Sequence, residues 1–215
     1  MKRFFILFAI LFVGALGFGI FLGMQSQNLD DIMGRHPDDR EPNPVNVPAL
    51  IESAAKSRND VTITERQLNT WIANTLEARQ DGLLSDFVDI KGVWVRFDEE
   101  EENGRAEIII EREIEGFPHT LSMFVRIERR KKEDGKFYTY IHKDGGRIWG
   151  VLAAGGRYGK VRVPQGFLYL TRDSFDALAK LFEVELGWMK DEITAKADGR
   201  IIFEEDQMRI SFPKD

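Results

Sequence analysis

An unbroken apolar run comes first. Phe4 to Met24 holds 21 residues without a charge, directly behind Lys2 and Arg3. At about 1.5 Å rise per residue, a helix of that length crosses a hydrocarbon layer of roughly 30 Å. The pattern predicts a transmembrane helix over residues 1–24. A cleaved secretory signal is the alternative, because Ala15-Leu16-Gly17 is an acceptable small-x-small site. The apolar run continues well past that site, which favours a retained anchor. Either way the positive charges stay in the cytoplasm and the remainder crosses the membrane. Ala15, Gly19 and Gly23 recur every four residues. That spacing permits close helix–helix contact, but small residues are common in such helices anyway.

The pattern then turns polar. "QSQNLDDIMGRHPDDREPNPVNVP", residues 25–48, carries four prolines and few large apolar side chains. Such a segment buries too little surface to offset its ordering entropy, so a stiff, mostly disordered tether is expected. His36 falls in this tether, where a lone histidine is not a ligand.

Residues 49–215 show the periodicities of one globular domain. Leu50, Ile51, Ala54 and Ala55 mark a short amphipathic helix over Ala49 to Arg58. A turn at Asn59-Asp60 leads to a second helix, which ends at Gly82. Thr64 and Gln67 have the spacing of a capping box, and Leu68, Trp71, Ile72 and Leu76 follow at helical intervals. Four segments of period two come next. Val93, Val95 and Phe97 alternate with Trp94 and Arg96. Ile108, Ile110 and Ile114 alternate with glutamates. Leu121, Met123, Val125 and Ile127 alternate with polar residues, as do Phe137, Thr139 and Ile141. This predicts an antiparallel meander with one covered face. A late amphipathic helix follows Thr171, with Phe175, Leu178, Leu181, Phe182 and Leu186 as its stripe. A hairpin from Arg200 to Phe212 closes the chain. The fold class is α+β: a transmembrane helix, then a curved antiparallel β-meander packed on amphipathic helices.

Charge and composition narrow the function. The net charge is −6, which argues against nucleic acid, because phosphate binding is driven by Lys and Arg. The absence of cysteine removes disulfides, thiol nucleophiles and most structural zinc sites. The acidic run Asp98 to Glu102 and the basic run Arg129 to Lys132 fall on turns at the same end of a meander. They read as mutually neutralising tips, because the spacing lacks the alternating oxygen ligands and glycine of a calcium loop. His119 follows a proline at a turn and His142 ends a strand, both positions expected at the surface. No paired catalytic signature is present, so no enzyme, cofactor or metal is expected.

The stretch "GRIWGVLAAGGRYGKVRVP" imitates a phosphate-binding loop without meeting its spacing. Five positions before Gly159 stands Ala154, and Val161 rather than Ser or Thr follows Lys160. Gly155-Gly156-Arg157 lacks the G-x-G of a dinucleotide site. Arg147 to Leu152 reads instead as a strand running into glycines, which mark a bulge, a bend or close backbone approach.

Thr64, Gln67, Leu68 and Asn69, then Gly159, Lys160 and Pro164, then closing strands to Phe212 form a recognisable order. In this order the chain resembles the YpmS-like group of bacterial membrane-anchored proteins and, more distantly, TULIP-type lipid-binding domains. The hairpins are more charged than that pattern suggests. The resemblance implies a curved sheet around a helix, an apolar groove for acyl chains and no catalytic residues. The expected address is the bacterial cytoplasmic membrane, single-pass, with the C-terminal domain periplasmic. Trp71, Leu121, Met123, Val125, Ile127 and Phe175 would line the groove of a non-enzymatic lipid-binding module. The alternative is a solid core and a structural module that docks an envelope protein through an edge strand or the charged tips.

Overall fold

The computed structural model describes residues 2–76, 86–98, 104–131, 137–143, 154–164 and 200–212; at residues 2, 127–131, 137–143 and 154 it describes the backbone alone. The late helix with Phe175, Gly82, the segment Arg147 to Leu152 and residues 99–102 lie outside this description, as do the side chains of Ile127, Arg129 and His142.

Helix α1, Lys2–Gly23, is long and apolar enough to cross a membrane, and apart from its last residues it is exposed. Helix α2, Val47–Ser57, starts two residues before the expected one because Asn46 caps it, accepting the Ala49 N–H, with a proline in the first turn. Strand β1, Val61–Thr64, leads into helix α3, Glu65–Thr75, where the Thr64/Gln67 capping box forms as read from the sequence, but the helix ends at an extended Leu76 rather than at Gly82.

The meander follows: β2, Val88–Asp98; β3, Arg105–Ile114; β4, Phe117–Lys131; and β5, Phe137–Lys143. Strand β4 is the spine. One edge pairs with β3; the other is shared end to end by β6, Ala154–Tyr158, and β5. Strand β7, Val161–Pro164, completes a six-stranded sheet in the order β2-β3-β4-β6-β7, with β5 also on β4. Where Gly155-Gly156 interrupts the glycine-rich stretch, the β6–β7 register shifts, so these glycines mark an irregularity inside a strand. A second sheet of three strands joins β1 to β9, Gln207–Ser211, and β9 to β8, Arg200–Glu204.

One face of the large sheet carries the main core. Val93, Val95, Phe97, Ala106, Ile110, Leu121 and Val125 pack against Ile51 of α2, Trp71 and Ile72 of α3, and Ile63, Phe203 and Ile210 of the small sheet. The opposite face, expected to be solvated, is covered too. Trp94 and Ile109 form a second buried cluster with Leu29 and Ile32. These two residues belong to the supposed tether, so the expected disorder over residues 25–48 is corrected. The segment is a strap laid across the sheet.

The physical reason is specific pairing rather than bulk hydrophobicity. Arg35 grips Glu111 with two hydrogen bonds of 3.1 and 2.8 Å, and Arg96 bonds both Asn28 O and Asp31. At Met33 the strap meets two buried side chains one turn apart on α3. Glu65 accepts the Met33 N–H at 2.9 Å, and Asn69 donates to the Met33 carbonyl at 2.9 Å. The same pair satisfies the outer edge of β2. Asn69 exchanges two bonds with Val95, at 2.7 and 2.8 Å, and Glu65 accepts the Phe97 N–H at 3.0 Å. An edge strand's free N–H and C=O groups are thereby occupied by helix side chains, as a further strand would occupy them. Gly34, at φ +78°, lets the strap backbone lie close on Arg66, where a Cβ would meet the Arg66 carbonyl at 2.7 Å.

Asn69 is completely buried. Asn69→Asp keeps its shape but sets an oxygen against the Met33 and Val95 carbonyls. The expected loss is about 3 kcal/mol or more of unfolding free energy, read by denaturant titration of the two variants side by side.

Candidate functional site: the helix-proximal end of the sheet

Helix α1 ends where the sheet begins, and the last carbonyls of any helix lack partners within it. Here the domain supplies them. Lys160 donates its backbone N–H to Leu22 O at 3.2 Å, and His119 bonds Gly23 O through Nε2 at 3.0 Å. Lys160 Nζ also reaches Gln25 Oε1 at 2.9 Å. Gly159, at φ +56°, occupies the tip of the β6–β7 hairpin and donates to Thr120 O at 2.8 Å. A Cβ at Gly159 would collide with the Gly23 and Gln25 carbonyls. The Gly159-Lys160 pair that imitated a nucleotide motif therefore serves close approach of two backbones.

His119, expected at the surface, is 4% exposed. Its register partner Arg112 is buried as well and donates from Nε to His119 Nδ1 at 3.2 Å. A guanidinium cannot accept, so Nδ1 is the acceptor and the ring proton sits on Nε2, aimed at Gly23 O. Burial pushes the His119 imidazolium pKa down to about 4; the Arg112 charge adds to this and the bond to Gly23 opposes it. The neutral ring is thus the form that holds the helix end. Tyr158 lies beside it, with ring centroids 4.5 Å apart.

Next to this junction opens a cleft of about 320 Å³. The strap forms one wall with Ser26, Gln27, Asn28 and Asp30. The ends of β2, β3 and β4 form the other with Lys91, Glu111, Arg112, Glu113 and Thr120. Most charges are already matched. Glu111 is held by Arg35 and the Trp94 N–H: burial works against its charge, but these donors outweigh it and keep the carboxyl below its ordinary range. Lys91 bridges Asp89 and Glu113. Gln27 is the exception. It donates its backbone N–H to Thr120 Oγ1 at 2.9 Å and is 7% exposed, yet neither atom of its side-chain amide finds a hydrogen-bond partner in the structure. Ser26 Oγ is likewise buried and unpartnered. A buried amide normally has partners, so these atoms stand out among the residues that line the cleft.

The residues expected to line an apolar groove lie elsewhere. Trp71, Leu121 and Val125 are buried together in the main core, and Met123 packs against that cluster. None of them lines the cleft. Among the described residues no three of His, Asp and Glu gather into a metal-holding group. Sequence reasoning missed Gln27, Glu65 and Asn69. The last two carried a signal, as polar residues one turn apart on the side of α3 that also bears Leu68 and Ile72; Gln27 carried none. No protein-family model, curated protein or solved structure matches the chain.

Because the folded imidazole has the lower pKa, the unfolded chain binds the extra proton between about pH 6.5 and 4. Stability is therefore full above that window and falls on acidification through it, by on the order of 3 kcal/mol. Glu65 also titrates, with burial pushing it up to about 7 against its two N–H bonds, and this contribution has the opposite sign. Comparison with His119→Gln cancels it. The melting-temperature advantage of the wild-type chain over that variant should shrink between pH 7 and 4; a constant difference would contradict the buried neutral imidazole.

Proposed function

We propose that the chain is a membrane-tethered, non-enzymatic module that binds a lipid by its polar headgroup, with the domain on the outer side of a bacterial cytoplasmic membrane. The observation that carries this reading is the unpartnered Gln27 amide in a cleft adjoining the last residues of the apolar helix. A cleft of this size is at the small end of ligand sites. Its chemistry suits a zwitterionic group. Asp30 is an acceptor for an ammonium, the Lys91–Glu113 pair presents one charge of each sign, and the amide offers a donor and an acceptor. The headgroup would be taken in while the acyl chains remain in the bilayer. The core around Trp71, Leu121 and Val125 would then act as scaffold. Retention of α1 as an anchor is part of the proposal: Lys2 and Arg3 hold the cytoplasmic side, and the bonds at Leu22 and Gly23 keep the domain against the opposite surface. The resemblance to YpmS-like and TULIP-type proteins also implies a lipid ligand, but one held by its acyl chains in an apolar groove.

Native mass spectrometry of the full chain, released from nanodiscs containing phosphatidylethanolamine, is the test. One retained lipid per chain is expected, with occupancy lowered roughly five-fold or more in Gln27→Leu, as expected when two buried hydrogen bonds to a ligand are removed. A bare protein mass in every preparation, or equal occupancy in the variant, would refute headgroup binding.

A further inference from the structure

Outside α1 and the Met24 that follows it, two large apolar side chains among the described residues are exposed, and both lie at one point. Phe117 is 74% exposed and Phe87 is 53% exposed. Phe117 starts β4 and pairs with Ile114, the last residue of β3; Ile114 in turn pairs with Val88, the residue after Phe87. The Glu115 N–H closes the group by bonding Phe87 O at 3.1 Å. The two phenyl groups thus flank the Glu115-Gly116 turn.

The position of this tip matters more than its exposure. His119, two residues along β4 from Phe117, is the residue that holds Gly23 O. The Gly159-Lys160 hairpin tip, which meets the helix from the other side, is at the same end of the sheet, since Tyr158 pairs with Leu121. Strand β4 starts at Phe117 and continues through His119 into the sheet. Phe117 therefore lies on the side of the helix junction away from the bulk of the sheet.

We propose that the Phe87/Phe117 tip is a membrane-contact surface that enters the interfacial layer of the bilayer spanned by α1, giving the domain a second foothold beside the helix. Aromatic side chains favour that layer, where an apolar ring and a polar backbone are both accommodated. The occupant is lipid rather than protein, because Phe117 lies two strand residues from His119, which holds the last residue of the apolar span. The surrounding charges refine the choice. Among the described residues at the tip, Asp86, Asp89, Glu113 and Glu115 face Lys91 and the buried Arg112, so the neighbourhood is acidic on balance. Insertion is driven by the rings and suits zwitterionic lipid; anionic lipid opposes it through like-charge repulsion. The surface does not depend on whether the cleft holds a headgroup.

The chain contains no cysteine, so a single introduced thiol is a specific reporter. Asp86→Cys carries an environment-sensitive fluorophore beside the tip. Glu205→Cys, in the β8–β9 turn, carries it as a control; β8 approaches the opposite end of the large sheet, where Phe203 packs on Gly104. The full chain is placed in nanodiscs of phosphatidylcholine with or without brominated acyl chains. The Asp86 reporter should be quenched at least two-fold more than the control, and the difference should disappear when Phe87→Ser and Phe117→Ser are added. Exchange of half the lipid for phosphatidylglycerol should reduce the quenching. Quenching equal to the control, or unchanged by the double serine substitution, would overturn the proposal. Both phenylalanines are exposed, so a matching thermal unfolding profile is expected for the serine variant. Retained lipid in the mass measurement with Gln27 intact separates this outcome from a failure of headgroup binding.

Discussion

The end of an apolar helix is a chemical problem before it is an anchor. Its last carbonyl groups have no donors of their own, and at a bilayer surface they would ordinarily turn to water or headgroups. Here two of them are answered by the folded domain, through a backbone N–H at Lys160 and a buried imidazole at His119. Everything else at that end follows from this junction. The β6–β7 turn requires glycine at position 159 because the helix backbone arrives there. Arg112 is buried because it orients the imidazole. The strap starts from a fixed point rather than a swivel, and this allows residues 25–46 to lie across the sheet in one register.

The strap in turn depends on two polar residues of α3. An exposed edge strand invites pairing with other chains. The usual protections are charge, proline or a covering element. In this fold Glu65 and Asn69 take the place of a neighbouring strand along β2 and, with their remaining capacity, fix Met33. One helical turn thus joins the strap, the helix and the sheet edge. Two of the buried titratable groups respond to pH in opposite directions, since burial favours the protonated carboxyl at Glu65 and the neutral ring at His119. Their contributions partly cancel across the mildly acidic range.

Local patterns carried the reading of the elements well. The apolar run, the capping box of α3, the four-strand meander and the closing hairpin are all present. These depend on neighbours within a few residues, which a sequence displays directly. Strand β1 went unseen because four residues between a turn and a capping box leave no room for a period to show. The strap was misread because composition averages over position. Leu29 and Ile32 are too few to register, yet they land on Trp94 and Ile109. The run Ile108-Ile109-Ile110 did break the alternation and was the available hint that both faces of the sheet are covered. The cleft was illegible for a different reason: Gln27 and Thr120 lie 93 residues apart, and only the crossing of the strap brings them together.

The junction at Gly23 also couples two orientations that flexible tethers keep independent. A helix whose apolar length exceeds the local hydrocarbon thickness leans to fit. With a loose linker that lean is absorbed in the linker. With Leu22 and Gly23 hydrogen-bonded into the hairpin tip and β4, it would be passed on, so for α1 retained as an anchor a thinner or thicker membrane would rotate the entire sheet with the helix and change which of its surfaces faces the lipid.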